Sequence, residues 1–150
     1  MNDRFLAEMV VPGEPWSVPL LRRFVGRVLA MAEHRSMDGA QLIVSELAGN
    51  AIVHTRSGWP GGLVAVEVTA IGDALARIEV TDEGALTVPC PRMPGDDDCH
   101  GRGLNIVEHL AVRWGIRPEP LGWTTVWAEV LTAEEASIPV MDVPLLELEA

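Results

Sequence analysis

The sequence has little positive charge, and this scarcity limits the partners that the chain can bind. Only 11 of its 150 residues are lysine or arginine, against 22 aspartates and glutamates, and the formal net charge is −11. Affinity for nucleic acids comes mainly from basic side chains that neutralise phosphates, so the composition argues against a direct nucleic-acid partner. A protein partner with a basic surface is compatible with this charge.

The sequence also lacks long apolar runs and the pattern of a secretory signal in its first residues. Although 48% of the chain is hydrophobic, its apolar stretches are short and interrupted by charged residues. Residues 1–12 do not show the basic start and following apolar segment of a secretory signal. We therefore expect a soluble, cytoplasmic protein that does not enter a membrane.

Cysteine is scarce as well. Cys90 and Cys99, together with His100 and the three aspartates at 96–98, offer potential metal ligands. A single C-x8-C-H pattern lacks the closed set of four ligands that is typical of structural zinc. We prefer to interpret the cysteines as reduced thiols, and the aspartates as a solvated face or a partner contact.

The length and apolar content fit one domain, which we place at residues 1–132, followed by an acidic and apolar tail at 133–150. Hydrophobic periodicity and turn residues predict its helices and strands. In chain order we predict a strand at 5–11, a helix after residue 15 that reaches residue 31, a helix from 36 or 38 to about 54, strands at 63–70 and 75–81, a loop at 85–100, a short helix at 103–112, and strands at 114–117 and 124–131.

Polar residues recur on the second predicted helix. With 3.6 residues per turn, Glu46, Asn50 and His54 fall in one oblique row beside the apolar side. A half-buried carboxylate or carboxamide costs free energy unless it has a partner. From this helix alone, two interpretations stay open. The three polar residues either form hydrogen bonds to neighbouring loops or belong to a functional site.

The predicted strand at 75–81 ends in Asp82 and Gly84. Asp and Gly are ordinary turn residues, so this pair alone indicates a turn. In a functional interpretation, the Asp82 carboxylate accepts a hydrogen bond from an exocyclic amine. Gly84 then lets a flat base lie close to the backbone.

A glycine-rich turn, Gly101-Arg102-Gly103, precedes Leu104 and the last predicted helix. Backbone NH groups at a helix start can receive phosphate oxygens, although glycine is also common there for geometric reasons. The turn lacks the lysine of a P-loop and the third glycine of a dinucleotide fingerprint. Both of those motifs are therefore excluded.

The order of these patches resembles the N, G1 and G2 boxes of the GHKL (Bergerat-fold) ATPase superfamily. The chain has E-x-x-x-N on a helix, D-x-G at a strand end, a long loop, G-x-G-L before a helix, and a late strand with threonine. Its short length, its E-L-x-x-N-A-x-x-H-T segment and the strand T-V-W-A-E at 125–129 resemble anti-sigma-factor serine/threonine kinases, especially small ATP-binding regulators of high-GC Gram-positive bacteria. The resemblance covers residues 5–131 and implies a two-layer α/β sandwich, with a mixed, mostly antiparallel sheet and helices on one face.

The resemblance implies that the chain binds ATP and Mg²⁺, and it assigns roles to individual residues. Asn50 is the expected Mg²⁺ ligand, Glu46 the expected catalytic base, and Asp82 the expected acceptor for the adenine amine. Mg²⁺ prefers such oxygen ligands. The other positions that it assigns to nucleotide binding are His54, Gly84, Gly101, Arg102, Gly103, Leu104 and Thr125.

These positions differ in their expected contacts, and the sequence departs from the family pattern at two places. Gly84 is expected to contact the base, the segment at 101–104 the phosphates, and Thr125 the adenine together with Asp82 and water. Leu86 stands where the family pattern often has a second glycine. The aspartates at 96–98 repel a triphosphate if they close over it.

The resemblance implies transfer of the ATP γ-phosphoryl group to a serine or threonine of an anti-anti-sigma (STAS-type) protein. It also implies sequestration of a sigma factor as an additional or alternative role, and it allows a homodimer. Two alternatives stay open, because fold and function separate easily. One is a nucleotide-responsive binding module that transfers no phosphate, and the other is a structural interaction domain with degenerate boxes.

Overall fold

The computed structural model describes residues 3–85 and 104–133 as five strands, three α-helices and two short 3₁₀ turns. The turns are Arg56–Gly58 and Pro120–Gly122. The helices and strands are β1 (Asp3–Pro12), α1 (Ser17–Met31), α2 (Asp38–His54), β2 (Leu63–Ile71), β3 (Leu75–Asp82), α3 (Leu104–Leu110), β4 (Ala111–Pro118) and β5 (Thr124–Leu131).

The five strands form one sheet in the order β1-β2-β3-β5-β4. All four pairings between these strands are antiparallel, whereas the sequence prediction had allowed a mixed sheet. A turn with Gly72 at a φ of +66° joins β2 to β3, as the Gly72-Asp73 signal predicts. The expected α/β fold is confirmed.

The core lies between the helices and one face of the sheet. Alternate residues of β3, namely Ala76, Ile78 and Val80, are buried, as period-2 side-chain alternation requires. Burial of a valine or isoleucine side chain such as these contributes about 1.5–3 kcal/mol. The helices supply the facing layer through Leu21, Val25 and Leu29 of α1, Ile43, Val44 and Leu47 of α2, and Val107 of α3.

The opposite side of the sheet, here called the outer face, carries a network of charged side chains. Arg77 pairs with Asp3 and Glu129, both at 3.2 Å, and with Glu79 at 3.3 Å. Arg113 pairs with the same Glu129 at 2.9 Å. Along each strand, the residues of the outer face alternate with the core residues. Polar and buried apolar side chains therefore follow the same two-residue period.

One predicted boundary was wrong. The last helix was expected to continue to residue 112, but it ends at Leu110, and Ala111 already pairs with Val130 of β5. The β-branched and aromatic residues that follow, such as Val112 and Trp114, suit a strand. Pairing with β5 therefore overrides the helical spacing of the apolar residues.

Among the described helices, none is long and apolar enough to cross a membrane.

Candidate functional site

Two of the three polar residues in the predicted row on α2 are half-buried. Glu46 and Asn50 have intermediate exposure, whereas His54 is exposed and is the last residue of the helix. Within residues 3–85 and 104–133, no side chain or loop forms a hydrogen bond with the side chains of these three residues. A Cβ atom added to Gly49 would meet no atom within 4 Å. Among the described residues, the Glu46 carboxylate and the Asn50 amide therefore have no hydrogen-bond partner, and no described atom covers the helix surface at Gly49.

The end of α2 is joined directly to the turn that follows β3. Thr55 caps the helix and forms an isolated antiparallel bridge with Ala85. The backbone NH of Arg56 donates to the carbonyl of Gly84 at 2.9 Å. The E-x-x-x-N helix and the D-x-G turn, 32 positions apart from Asn50 to Asp82, are thus brought to the same end of the fold.

Asp82 is the last residue of β3 and lies on the core side of the sheet, where it is 7% exposed. Its Oδ1 accepts a hydrogen bond from the backbone NH of Gly84 at 2.8 Å. No described residue donates to its Oδ2. Burial raises the pKa of Asp82 and the nearby Glu83 raises it further, while the hydrogen bond from Gly84 opposes this change. The turn therefore fixes one carboxylate oxygen and leaves the other for a ligand donor.

Gly84 has a backbone conformation that only glycine adopts readily. Its φ is +100°, and a Cβ atom at this position would lie 2.6 Å from the carbonyl oxygen of Gly122. The close approach places the turn between β4 and β5 against the turn after β3. Gly84 itself carries no side chain, which lets a flat ligand group approach its backbone.

We expect Gly84→Ala to lower the free energy of unfolding more than Gly72→Ala does. Both glycines have a positive φ, but an added Cβ meets nothing within 4 Å at Gly72, so this control measures the conformational cost alone, about 1–2 kcal/mol. The clash at Gly84 adds about 1–3 kcal/mol. Urea denaturation measures both values, and equal losses would show that the turns do not pack closely.

The structure separates Thr125 from Asp82. Thr125 pairs with Thr81 across the β3–β5 ladder, whereas Thr124 pairs with Asp82. Directly opposed residues of an antiparallel pair share a face of the sheet, so the hydroxyl on the Asp82 side belongs to Thr124. The Thr125 hydroxyl instead contacts Thr81 at 2.7 Å and donates to Glu119 at 2.8 Å on the outer face. The predicted adenine contact of Thr125 does not agree with this register.

The predicted phosphate-facing segment is described only at its last residue. Leu104 begins α3 and packs against the core with intermediate exposure. Since α3 packs against α2, the start of α3 lies in the same helical layer as Glu46 and Asn50. The roles assigned to Gly101, Arg102 and Gly103 concern residues that lie outside the described part of the chain.

A metal ion at this site would need ligands beyond the protein. Among the described residues, no group of three or more His, Cys, Asp or Glu side chains is placed to hold a metal ion. The amide oxygen of Asn50 is a suitable Mg²⁺ ligand, and Mg²⁺ is commonly held by one or two protein groups together with phosphates and water. The cluster formed by Cys90, Cys99, His100 and residues 96–98 lies outside the described residues.

Two further residues border the site and were not predicted from the sequence. Thr124 lies opposite Asp82, and strict period-2 alternation counted across the predicted strands would have identified it. The Arg56 guanidinium lies 5.7 Å from the ring centre of Trp59, and its Nη1 is 3.4 Å from the position of a Cβ atom on Gly84. No sequence pattern indicated Arg56, because this contact depends on how the turn after α2 folds back.

Comparison with known families gives a match over most of the chain. The sequence model of the histidine kinase-like ATPase domain matches residues 11–128, which is most of the chain and includes every candidate site residue. A comparison with curated proteins finds no match.

Proposed function

We propose, from the premise that this chain belongs to the histidine kinase-like ATPase domain family, that it binds ATP with Mg²⁺ and acts as a regulatory protein kinase. Membership of this family implies ATP binding. The observation that best supports the site is the buried Asp82 carboxylate, with one oxygen fixed by Gly84 at 2.8 Å. A buried carboxylate is costly unless donors satisfy it, and the adenine amine can donate to the second oxygen.

Each residue of the site has a distinct role in this proposal. Asp82 accepts from the adenine amine, and Thr124 lies beside it on the same face. Asn50 holds Mg²⁺, which neutralises phosphate charge when it is bound. Glu46 lies one turn before Asn50 on α2 and orients or deprotonates the attacking hydroxyl. His54, Gly84, Leu104 and the segment at 101–103 complete the nucleotide contacts.

We further propose that the phosphoryl acceptor is a serine or threonine of an anti-anti-sigma (STAS-type) protein, with sequestration of a sigma factor as a related role. The support is the resemblance of the segment at 46–55 and of strand β5 to anti-sigma-factor kinases. A cytoplasmic location is part of the same proposal, since these partners act there.

Transfer is tested by incubating the chain with Mg²⁺ and ATP labelled at the γ-phosphate, together with candidate STAS proteins. We expect label on the STAS partner, and no label when its acceptor hydroxyl is replaced by alanine. Label that stays on ATP with every candidate, while ATP binds normally, would contradict the kinase proposal.

That outcome would favour a second function, a nucleotide-responsive binding module. One observation supports it. Gly84 packs against Gly122 in the turn between β4 and β5, so a base that lies on Gly84 also lies close to that turn. Nucleotide binding can therefore change a surface that is remote from the phosphates without any transfer.

Thr124→Val and Thr125→Val are expected to have opposite effects. If Thr124 contacts the nucleotide, its replacement weakens ATP binding by about 0.5–1.5 kcal/mol, or roughly 2- to 10-fold in Kd, with little change in stability. Thr125→Val removes the bonds to Thr81 and Glu119, so it lowers the free energy of unfolding and leaves ATP affinity unchanged. Calorimetry and urea denaturation of both variants measure these effects, and the reverse pattern would restore Thr125 to the site.

A further inference from the structure

A cavity of about 410 Å³ opens on the outer face of the sheet, on the side away from the Asp82 carboxylate. Its volume is in the range of ligand pockets. The nucleotide proposal uses none of its residues. Those that matter here are Glu67, Glu79, Glu119, Arg117, Leu121 and Trp123.

The cavity has a surplus of negative charge. Three carboxylates, those of Glu67, Glu79 and Glu119, face the single guanidinium of Arg117. Arg117 is already paired with Glu79 at 2.8 Å and with Glu119 at 3.0 Å. Glu79 also pairs with Arg77 at 3.3 Å, so the surplus charge lies mainly on Glu67. Glu67 forms no ion pair with any residue in the described ranges. Burial, together with the charges of Glu79 and Glu8, raises the pKa of Glu67. An added cation between the two glutamates of the cavity, Glu67 and Glu79, relieves the repulsion between them.

The rim of the cavity is apolar and strained. Leu121 is 88% exposed and has a φ of +65°, a conformation that costs a residue other than glycine about 1–2 kcal/mol. Trp123 is 38% exposed. The turn is closed by hydrogen bonds between the backbones of Glu119 and Trp123 at 2.9 Å and of Trp123 and Pro120 at 3.3 Å. This turn therefore holds a leucine in solvent beside the acidic cavity, and such strain is often kept for function.

The geometry favours an organic cation over a metal ion. Among the described residues, no three of the acidic, histidine or cysteine side chains are placed to hold a metal ion. A guanidinium is larger and planar, and its five donors reach two carboxylates at once. The net charge of −11 attracts basic partners over longer distances.

We infer that this cavity is a docking site for a protein partner, which inserts an arginine side chain between Glu67 and Glu79 and rests a neighbouring apolar residue on Leu121 and Trp123. The inference does not depend on nucleotide binding, because Glu67 and Asp82 lie on opposite faces of the sheet. A partner can occupy this cavity while a nucleotide occupies the other face.

The test uses the full chain labelled with ¹⁵N and a short capped peptide in which leucines flank one arginine. The matched probe is the same peptide with citrulline, which has nearly the same shape but no charge. We expect the arginine peptide to shift the amide signals of Glu67 and Thr81 and the indole signal of Trp123, and to bind at least about 10-fold more tightly than the citrulline peptide.

Two variants separate a built site from general attraction. Glu67→Gln is expected to weaken binding of the arginine peptide about 5- to 10-fold. Glu8→Gln removes the same charge from the cross-strand neighbour of Glu67, and we expect it to change the affinity for the peptide by no more than about 2-fold. Leu121→Gly is expected to raise the free energy of unfolding, because glycine adopts the positive φ at this position without strain. The same variant is expected to lower the affinity for the peptide, because the apolar contact is lost.

Several outcomes would overturn the inference. One is that the arginine and citrulline peptides bind equally, or that neither binds. Another is that Glu8→Gln and Glu67→Gln weaken the peptide equally, which would leave only the overall charge as the cause. If the same signals shift with rising protein concentration and no peptide, the occupant is a second copy of the chain, and if Mg²⁺ or Ca²⁺ alone shifts them, it is a metal ion.

Discussion

Glu46→Gln is expected to lower the rate of phosphoryl transfer by roughly 100-fold or more and to leave ATP binding nearly unchanged. General bases typically contribute factors of about 10² to 10⁴, and glutamine keeps the size of the side chain while it removes the proton acceptor. Glutamate and glutamine have similar helix propensities, so α2 itself is not disturbed. Transfer of labelled phosphate to a STAS partner gives the rate, and calorimetry gives the affinity.

Glu33→Gln is the matched control, since Glu33 is an exposed glutamate at the end of α1 and belongs to no proposed site. Its transfer rate should equal that of the unmodified chain. If Glu46→Gln also transfers phosphate at the unmodified rate, Glu46 is not the base, although the kinase proposal survives. If Glu46→Gln loses ATP affinity instead, the carboxylate has a binding role that the proposal does not give it.

Asn50→Ala is expected to remove the Mg²⁺-dependent part of ATP binding, and with it phosphoryl transfer. Asn50 is the only protein ligand that the proposal gives to the metal, and alanine supplies no oxygen. Alanine has a higher helix propensity than asparagine, so a loss of binding cannot be attributed to a weaker α2. Calorimetry with ATP, once with Mg²⁺ and once with a chelator, measures the effect.

The chelator serves as the control for this prediction. Without Mg²⁺, the unmodified chain and Asn50→Ala should bind ATP with the same weak affinity, because the residue acts only through the metal. If Asn50→Ala weakens binding equally with and without Mg²⁺, Asn50 contacts the nucleotide directly. If it weakens binding in neither condition, Asn50 is not part of the site.

Most of the fold was predictable because its signals are local. Apolar spacing identified α1 and α2 within a few residues, and the Gly72-Asp73 turn identified the β2–β3 hairpin. The end of α3 was not predictable in this way. The residues after Leu110 suit either continuation of a helix or a strand, and the choice is made by β5, which is adjacent in space and pairs with Ala111.

The sequence indicated the residue types of the candidate site, but it did not indicate which residue of β5 lies beside Asp82. The spacing of Glu46 and Asn50 on a helix places both on one side, and in the structure both have intermediate exposure. The register between β3 and β5 was needed to identify which threonine of β5 lies beside Asp82, since a shift of one residue moves a side chain to the other face of a sheet. Thr125 was therefore chosen where Thr124 lies beside Asp82.

The raised pKa of Asp82 also explains why a substitution there is expected to weaken ATP binding without lowering the free energy of unfolding. A carboxyl group whose pKa is raised in the folded state holds its proton more tightly there than in the unfolded chain. Its stabilising contribution is thus present below the unfolded pKa and is lost as the pH rises through the folded pKa. Above the folded pKa the ionised Asp82 costs stability, and a neutral residue of the same shape removes that cost.

The most direct test of the ATP site is calorimetric titration of ATP with Mg²⁺ into the unmodified chain and into Asp82→Asn, with Asp73→Asn as a control in the exposed β2–β3 turn. In the asparagine variant, the amide oxygen still accepts from Gly84, and an NH₂ group then faces the adenine amine. We expect Asp82→Asn to weaken ATP binding by about 1–3 kcal/mol, roughly 5- to 150-fold in Kd, without lowering the free energy of unfolding, and we expect Asp73→Asn to change neither quantity. Undiminished ATP affinity in Asp82→Asn, or no ATP binding by the unmodified chain, would contradict it.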